Sequence, residues 1–317
     1  MHEPSHRNCL PQLGGGFFLT DAGIETDLIF NRGFDLPCFA SHTLFDTPDG
    51  RAGLEDYFRG YIELAREFRT GLILDTATWR AQPHWADDLG QSLARLQEVN
   101  EQAVAMAVAL RDDADLDAPI VINAPIAPRG DAYRPDTLVG VDEARQYFAQ
   151  QLGWLANTAI DMVTALTFNQ IEEAAGFVLA ASDVGLPAVV SFTVETDGRL
   201  PSGPTLQEAI EKVDSITSGS PAYFMVNCAH PEHFPPLNSE ETWVRRVHGF
   251  RANASRLSHA ELDESTDLHI GDPEELANLH MELLRRLPWI NVVGGCCGCD
   301  VRHIAAIARA RRREFLA

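Results

Sequence analysis

Positive charge is what this 317-residue chain has least of: 25 Lys and Arg stand against 46 Asp and Glu, a formal charge of −21. Such a balance repels phosphate backbones and anionic headgroups, which argues against nucleic acid and against a membrane surface as partners. The one basic run, Arg309 to Arg313, falls in a helical C-terminal pattern and reads as a solvated face. No stretch approaches the ~20 apolar residues of a membrane span, and Met1 to Gln12 holds no apolar segment of signal-peptide type, so a cytoplasmic protein is expected. Cysteine is scarce too: the six thiols (Cys9, Cys38, Cys228, Cys296, Cys297, Cys299) are too sparse for a disulfide scaffold. In a reducing compartment they point to metal or catalytic roles, and the adjacent Cys296 and Cys297 cannot bond to each other without strain. A Gly-x-Gly-x-x-Gly is also missing after the first apolar run, which speaks against a dinucleotide fold. Gly14-Gly15-Gly16 precedes that run and belongs to a flexible lead-in over residues 1–16.

What the chain does have is regular alternation. With 45% apolar side chains it can bury a full core. Eight short apolar or β-branched runs recur: Phe17–Asp21, Leu72–Thr76, Ile120–Ala124, Met162–Thr167, Ala188–Thr193, Ala222–Asn227, His248–Asn253 and Ile290–Gly294. Between them lie helical patterns over Leu54–Arg69, Leu93–Arg111, Val141–Ala159, Ile171–Val184, Leu206–Thr217, Glu240–Val247 and Pro273–Leu287. Strand and helix periods in strict alternation mark parallel βα units, and eight units predict a single (β/α)8 TIM barrel spanning residues 1–317. Long segments at Asn31–Arg51 and Ala124–Leu138 are candidate lids, and Pro231–Asn238 and Ser258–Asp267 read as loops at the barrel mouth.

Polar residues gather at the C-terminal ends of the runs: Asp21, Asp75-Thr76, Asn123, Thr193, Asn227-Cys228, Asn253 and Gly294 to Cys297. In a parallel barrel that end is the active face, so these groups are expected to converge. Cys228, Cys296 and Cys297 then form a candidate three-thiolate site. Thiolates are soft ligands that favour zinc, and three protein ligands with one open position is the catalytic pattern. A thiol arriving at the open position would lose its proton to the metal far more readily than a free thiol of pKa ~8.5. Glycines before and after the cysteine pair permit a tight backbone there. If Cys299 also coordinated, the site would be closed and the chain a non-catalytic zinc or thiol sensor.

Taken together, Asp21-Ala22-Gly23-Ile24-Glu25-Thr26-Asp27-Leu28, Val226-Asn227-Cys228-Ala229-His230-Pro231 and Gly294-Gly295-Cys296-Cys297-Gly298 resemble the zinc-dependent homocysteine S-methyltransferase family. Asp75-Thr76-Ala77-Thr78, Ser191-Phe192-Thr193 and Ala252-Asn253-Ala254-Ser255 extend the likeness in family order. The resemblance implies a (β/α)8 barrel in which Cys228, Cys296 and Cys297 hold zinc and the metal activates a thiol, most simply homocysteine on the way to methionine. It also implies that Asp21 lies near the acceptor's amino group. Asn227, Thr193 and Asn253 are further candidate substrate contacts. No catalytic side chain is expected beyond the metal-activated thiol. The methyl donor would be a small onium compound such as S-methylmethionine, S-adenosylmethionine or a betaine, its charge resting on Trp79, Trp85, Phe192, Tyr133 or nearby carboxylates.

The chain departs from that pattern on its fourth run. The family ends this strand in Glu-Thr, the glutamate meeting the homocysteine ammonium, and here Leu166 precedes Thr167. A charged hydrogen bond is worth ~1.5–3 kcal/mol, so the loss matters. Either Glu172 or Glu173 stands in, or the acceptor is a different thiol without that ammonium. Cys299 is a second departure, expected to be an uninvolved thiol, and Asp-Ala-Gly in place of Asp-Gly-Gly a third.

Overall fold

The computed structural model describes residues 3–134, 137–234 and 239–315. Eight parallel strands close in sequence order: β1 (Phe18–Leu19), β2 (Gly71–Asp75), β3 (Ile120–Ile126), β4 (Met162–Phe168), β5 (Ala188–Phe192), β6 (Tyr223–Asn227), β7 (Val247–Ala252) and β8 (Val292–Gly295). Closure is made by β1 against β8, with Phe18 opposite Val292 and Leu19 opposite Val293. All eight expected runs become strands, their ends displaced by no more than two residues. The protein is therefore a (β/α)8 barrel.

Helices pack around it: α1 (Ile24–Thr26), α2 (Pro48–Phe68), α3 (Leu93–Asp113), α4 (Val141–Ala156), α5 (Ile171–Asp183), α6 (Leu206–Thr217), α7 (His259–Asp263), α8 (Pro273–Arg286) and α9 (Val301–Phe315). Local chemistry starts the longer ones. Thr47 accepts from Gly50 N ahead of Pro48 in α2, and Thr205 with Glu208 forms a reciprocal capping box on α6. Asp272 accepts from the amides of Glu274 and Glu275, with Pro273 in the first turn of α8. Glu240–Val247 does not make the expected α-helix. It forms a 3₁₀ turn over Thr242–Arg246, because only Trp243 and Val244 are buried there and one apolar pair cannot anchor a helical stripe.

The barrel interior follows the two-residue period of its strands. Ile73, Val121, Met162, Val189, Met225 and Val292 fill the lower layer with Phe18, Tyr223 and Leu10. One alternation further along the same strands come Asp75, Asn123, Thr164, Ser191, Asn227 and Gly294, joined by Arg251 of β7. An apolar plug thus carries a polar floor, and the floor faces the C-terminal mouth.

The N-terminal lead-in, expected to be flexible, is held against the opposite end of the barrel. The Arg7 guanidinium donates to the carbonyls of Ala156, Thr158 and Ile160 at 3.1, 2.7 and 2.8 Å. Gln12 is buried and reaches the Tyr223 hydroxyl at 3.3 Å. The glycines sit between this anchor and β1, where Asn291 donates to the Gly16 carbonyl at 2.7 Å. Among the described residues no helix is long and apolar enough to cross a membrane. In the basic run, Arg309 and Arg313 reach Glu274 from exposed positions, consistent with a solvated face.

Candidate active site

Cys228 follows directly on β6, and Cys296 and Cys297 follow directly on β8. Their three Sγ atoms lie within 4.8 Å of one another. A tetrahedral zinc with sulfur at ~2.3 Å spaces its ligands about 3.8 Å apart, so the donor set fits such an ion without rearrangement of the fold. The strand ends are pinned by backbone hydrogen bonds across the sheet, Cys228 N to Arg251 O at 2.9 Å and Cys296 N to Ala252 O at 2.8 Å. Cys228 adopts φ 54°, a left-handed backbone conformation immediately after β6. Two glycines let β8 deliver its pair. A Cβ at Gly294 would fall 1.8 Å from Thr20 Oγ1, and Gly298 has φ +75° with the His269 carbonyl 2.3 Å from where its Cβ would be.

The sequence-predicted polar residues divide into two groups. Asn227 and Asn253 support the cysteines. Asn227 Oδ1 accepts from Thr167 N at 3.0 Å and Ser191 Oγ at 2.6 Å, while its amide donates to Thr167 Oγ1 at 2.7 Å and approaches Cys296 Sγ at 3.7 Å. Asn253 accepts from Ser255 N at 2.9 Å and points its amide at Cys228 Sγ, 3.7 Å away. Thr193 is fully buried at the end of β5 with its hydroxyl unpartnered. None of these three lines the cavity in front of the cysteines; Asp21 does. Cys299 stays out of the sulfur cluster, its thiol buried in the barrel wall and donating to Ala252 O at 3.3 Å.

The sulfurs form one electrostatic unit. Thiol hydrogen bonds from Cys296 and then Cys297 hold the Cys228 pKa well below the ordinary range, and those two thiols, as donors to Cys228, are pushed up. The Tyr133 hydroxyl closes over this unit at 3.0 Å from Cys228 Sγ, with its ring stacked on His259 at 4.2 Å. His259 in turn bridges the Cys228 carbonyl at 2.7 Å and Glu195 at 2.8 Å. Tyr133 comes from the expected Ala124–Leu138 lid, of which residues 135–136 lie outside the described residues, as do 235–238 of the Pro231–Asn238 loop.

The floor of the cavity is an ion triad that the sequence did not announce. Arg251 is buried and bridges the carboxylates of Asp21 and Asp75. Although burial opposes its charge, Asp75 and Asp21 outweigh that and hold the guanidinium above its usual range. Burial drives the Asp21 pKa well up despite Arg251 and the Tyr57 hydroxyl 3.1 Å away. Asp75 accepts from Asn123 at 2.7 Å, and Asn123 from Thr164 at 2.8 Å. The signal in the sequence is a charged residue within the β7 run, whereas Asn253 lies beyond the strand end.

The cavity above this floor has a volume of about 220 Å³. Cys296 and Cys297 open onto it, with Thr167, Leu166, Trp79 and Tyr133 around them. Leu166 occupies the wall where a carboxylate was sought, and its carbonyl accepts from the Trp79 indole at 3.1 Å. Neither expected replacement reaches the cavity. Glu173 is buried behind β4, accepting from Arg129 N at 2.6 Å, and Glu172 lies on an outer surface with Pro204 and Glu208. α5 begins at Ile171, so both acids fall in its first turn beyond the end of β4, where Glu173 is taken up by the Arg129 amide and Glu172 by the outer surface. Of the expected aromatic faces, Tyr133 and Trp79 line the cavity and Phe192 is wholly inside the core. Trp79 and Trp85 each already face a cation, with the Arg80 guanidinium 4.4 and 4.3 Å from their ring centres.

Comparison with known proteins agrees with this geometry. Residues 18–311 match the family described as homocysteine S-methyltransferase. Betaine–homocysteine S-methyltransferase 1 of Rattus norvegicus is 27% identical over 281 residues, 80% of this chain and 65% of that protein. The enzyme of the same name from Danio rerio is 25% identical over 295 residues, 85% of this chain and 69% of that one. The chain thus spans about 65% of the length of the first of these relatives. The metallated form of the homocysteine methyltransferase MmuM from Escherichia coli shares the fold, with a TM-score of 0.71 at 15% identity over 95% of this chain and 98% of that one.

Proposed function

The chain belongs to the homocysteine S-methyltransferase family, and on that premise we propose that it moves a methyl group from a small onium donor to the thiol of homocysteine, yielding methionine. The whole chain acts in this reading as one barrel domain, with zinc held by Cys228, Cys296 and Cys297. The observation that carries it is three sulfurs within 4.8 Å of one another, two of them opening onto a closed-floored cavity at a barrel mouth. Zinc bound to such a set supplies a positive field that ionises an incoming thiol near neutral pH. Cys299, engaged with the Ala252 carbonyl, supports an open rather than a four-sulfur closed arrangement.

The chain's own residues supply positioning. Asn227 and Asn253 orient the cysteine sulfurs, and the apolar layer beneath Asp21, Asp75 and Arg251 seals the barrel so that the thiol is approached only from the mouth. In the transfer a sulfur–carbon bond forms while the bond from methyl to the onium atom breaks, its electron pair staying on that atom. The leaving group departs neutral and needs no proton, so the transfer requires no general acid. The donor's charge can rest against Asp131 and Asp263, and the exposed ring of Phe39, all of which line the opening. In-line placement of the two reactants would provide most of the acceleration.

The test is direct. Zinc-loaded protein incubated with homocysteine and S-methylmethionine, S-adenosylmethionine or betaine should yield methionine by mass spectrometry with one of the donors, and apoprotein should not. Stoichiometric zinc with no methylated product from any pairing of thiols and onium donors would refute the reading.

A further inference from the structure

Two charged groups facing the cavity have no charged partner. Glu25, on α1, lines the wall; the Ser41 hydroxyl donates to it at 3.0 Å, and no Lys, Arg or His pairs with it among the described residues. Arg80 lines the same cavity. Its guanidinium lies over Trp79 and Trp85, donates to the Gly130 carbonyl at 3.3 Å, and leaves a buried Nε without any hydrogen-bond partner. It too makes no ion pair among the described residues. Glu25 and Arg80 feel each other's charge, yet they are held apart rather than bonded. Burial lifts the Glu25 carboxyl to about 7, as expected of an anion that lacks a counter-charge.

Unpaired opposite charges across one small cavity are costly unless a ligand completes them. The ligand that does so carries a cation and an anion a few bonds apart, which is the headgroup of an α-amino acid. Of the other carboxylates that line the cavity, Asp21 and Asp75 are committed to Arg251 and Asp263 to Arg134, Asp131 is assigned above to the donor's charge, and Leu166 supplies none. An arginine held flat by two indoles is well suited to a carboxylate, because its donor edge is fixed before the ligand arrives.

We propose that Glu25 and Arg80 form the headgroup clamp of this enzyme, Glu25 receiving the ammonium and Arg80 the carboxylate of an α-amino-acid thiol. The clamp rests on the methyl-acceptor reading above and explains how that acceptor is kept despite Leu166. Both are specificity-determining positions rather than participants in bond making.

Calorimetric binding to zinc-loaded protein without donor tests it, using homocysteine, 4-mercaptobutanoate (no ammonium) and 3-mercaptopropylamine (no carboxylate). Glu25→Gln should weaken homocysteine and the amine by about ten- to a hundredfold and leave 4-mercaptobutanoate within about twofold. Arg80→Met should do the reverse, weakening the two carboxylates and sparing the amine, with Arg80→Lys recovering part of the loss. Leu166→Glu in the Glu25→Gln background should restore ammonium binding, since it returns a carboxylate to the wall. Glu172→Gln, on the outer surface, should change nothing, and thermal melts verify that each variant is folded. Equal weakening of all three thiols, or homocysteine binding unchanged in Glu25→Gln, overturns the clamp while leaving the methyl-acceptor reading in place. Failure of the wild-type protein to bind any of the thiols overturns both.

Discussion

Replacing Arg251 with Met tests whether the cavity floor depends on charge compensation. Met roughly preserves the volume and removes the cation, leaving Asp21 and Asp75 together with side chains 3% and 5% exposed. Breaking a buried pair in this way costs about 3–5 kcal/mol. An independent bound agrees. Arg251 opposes the rise that burial imposes on the Asp21 carboxyl, so its removal drives Asp21 further toward the neutral form. Holding a carboxyl of ordinary pKa ~4 neutral at pH 7 costs about 3 × 1.4, or roughly 4 kcal/mol, and at pH 5 only about 1.4 kcal/mol. The sign follows from linkage: with the folded pKa raised, the native state binds more protons than the unfolded one. Its stability is fullest below about pH 4 and is lost as pH rises through the raised value. Urea unfolding of wild type and Arg251→Met should therefore show a gap of up to about 4 kcal/mol at pH 7 that narrows at pH 5, Asp21 in the wild type already bearing part of that cost. Arg251→Met with Asp21→Asn should lose that pH dependence. A gap below about 1 kcal/mol at pH 7, or one that is the same at both pH values, would refute the argument.

Further outcomes are expected. Cys228→Ala should weaken zinc binding by at least about a hundredfold in a chelator competition, since a metal held by a few sulfurs draws roughly 3 kcal/mol or more from each. Cys299→Ala should keep full zinc content; loss of zinc there would favour the closed site. Glu173, which burial raises to about 7, favours the folded state when protonated, so wild-type stability should fall by up to about 3 kcal/mol as pH rises from 4.5 through 7. Glu173→Gln should lessen the fall by its own share, the raised Glu25 and Asp21 carboxyls supplying the rest, measured by denaturation at pH 5 and pH 8, and an unchanged slope would count against it. Gly294→Ala should destabilise by about 1–3 kcal/mol in urea unfolding and lower zinc affinity, because its Cβ would strike Thr20.

Much of the architecture was readable because it is local. A strand buried on both faces is a short continuous apolar run, so β1 through β8 are visible in short windows, as are the starts of α6 at Leu206 and α8 at Pro273, whereas α2 begins at Pro48, six residues ahead of its expected start. The exception, Thr242–Arg246, is where the window holds helix-forming residues but no apolar stripe for packing to reward. The contacts of the lead-in were not legible, because they are made far along the chain. Arg7 and Gln12 find their partners more than 140 positions away.

The same division runs through the site. Sequence alone determined the barrel, its active end and the three cysteines, since topology sends every strand end to one face and chemistry then singles out the thiols. It also marked Leu166 as the place where the family pattern fails. Only the tertiary structure showed that Glu172 and Glu173 stay out of the cavity and that Glu25 and Arg80 line it. It alone committed Asp21 to Arg251, which lies 230 residues away along the chain. Charge pairing acts through space, whereas sequence periodicity reports only neighbours along the chain, and closing the barrel is what converts one into the other.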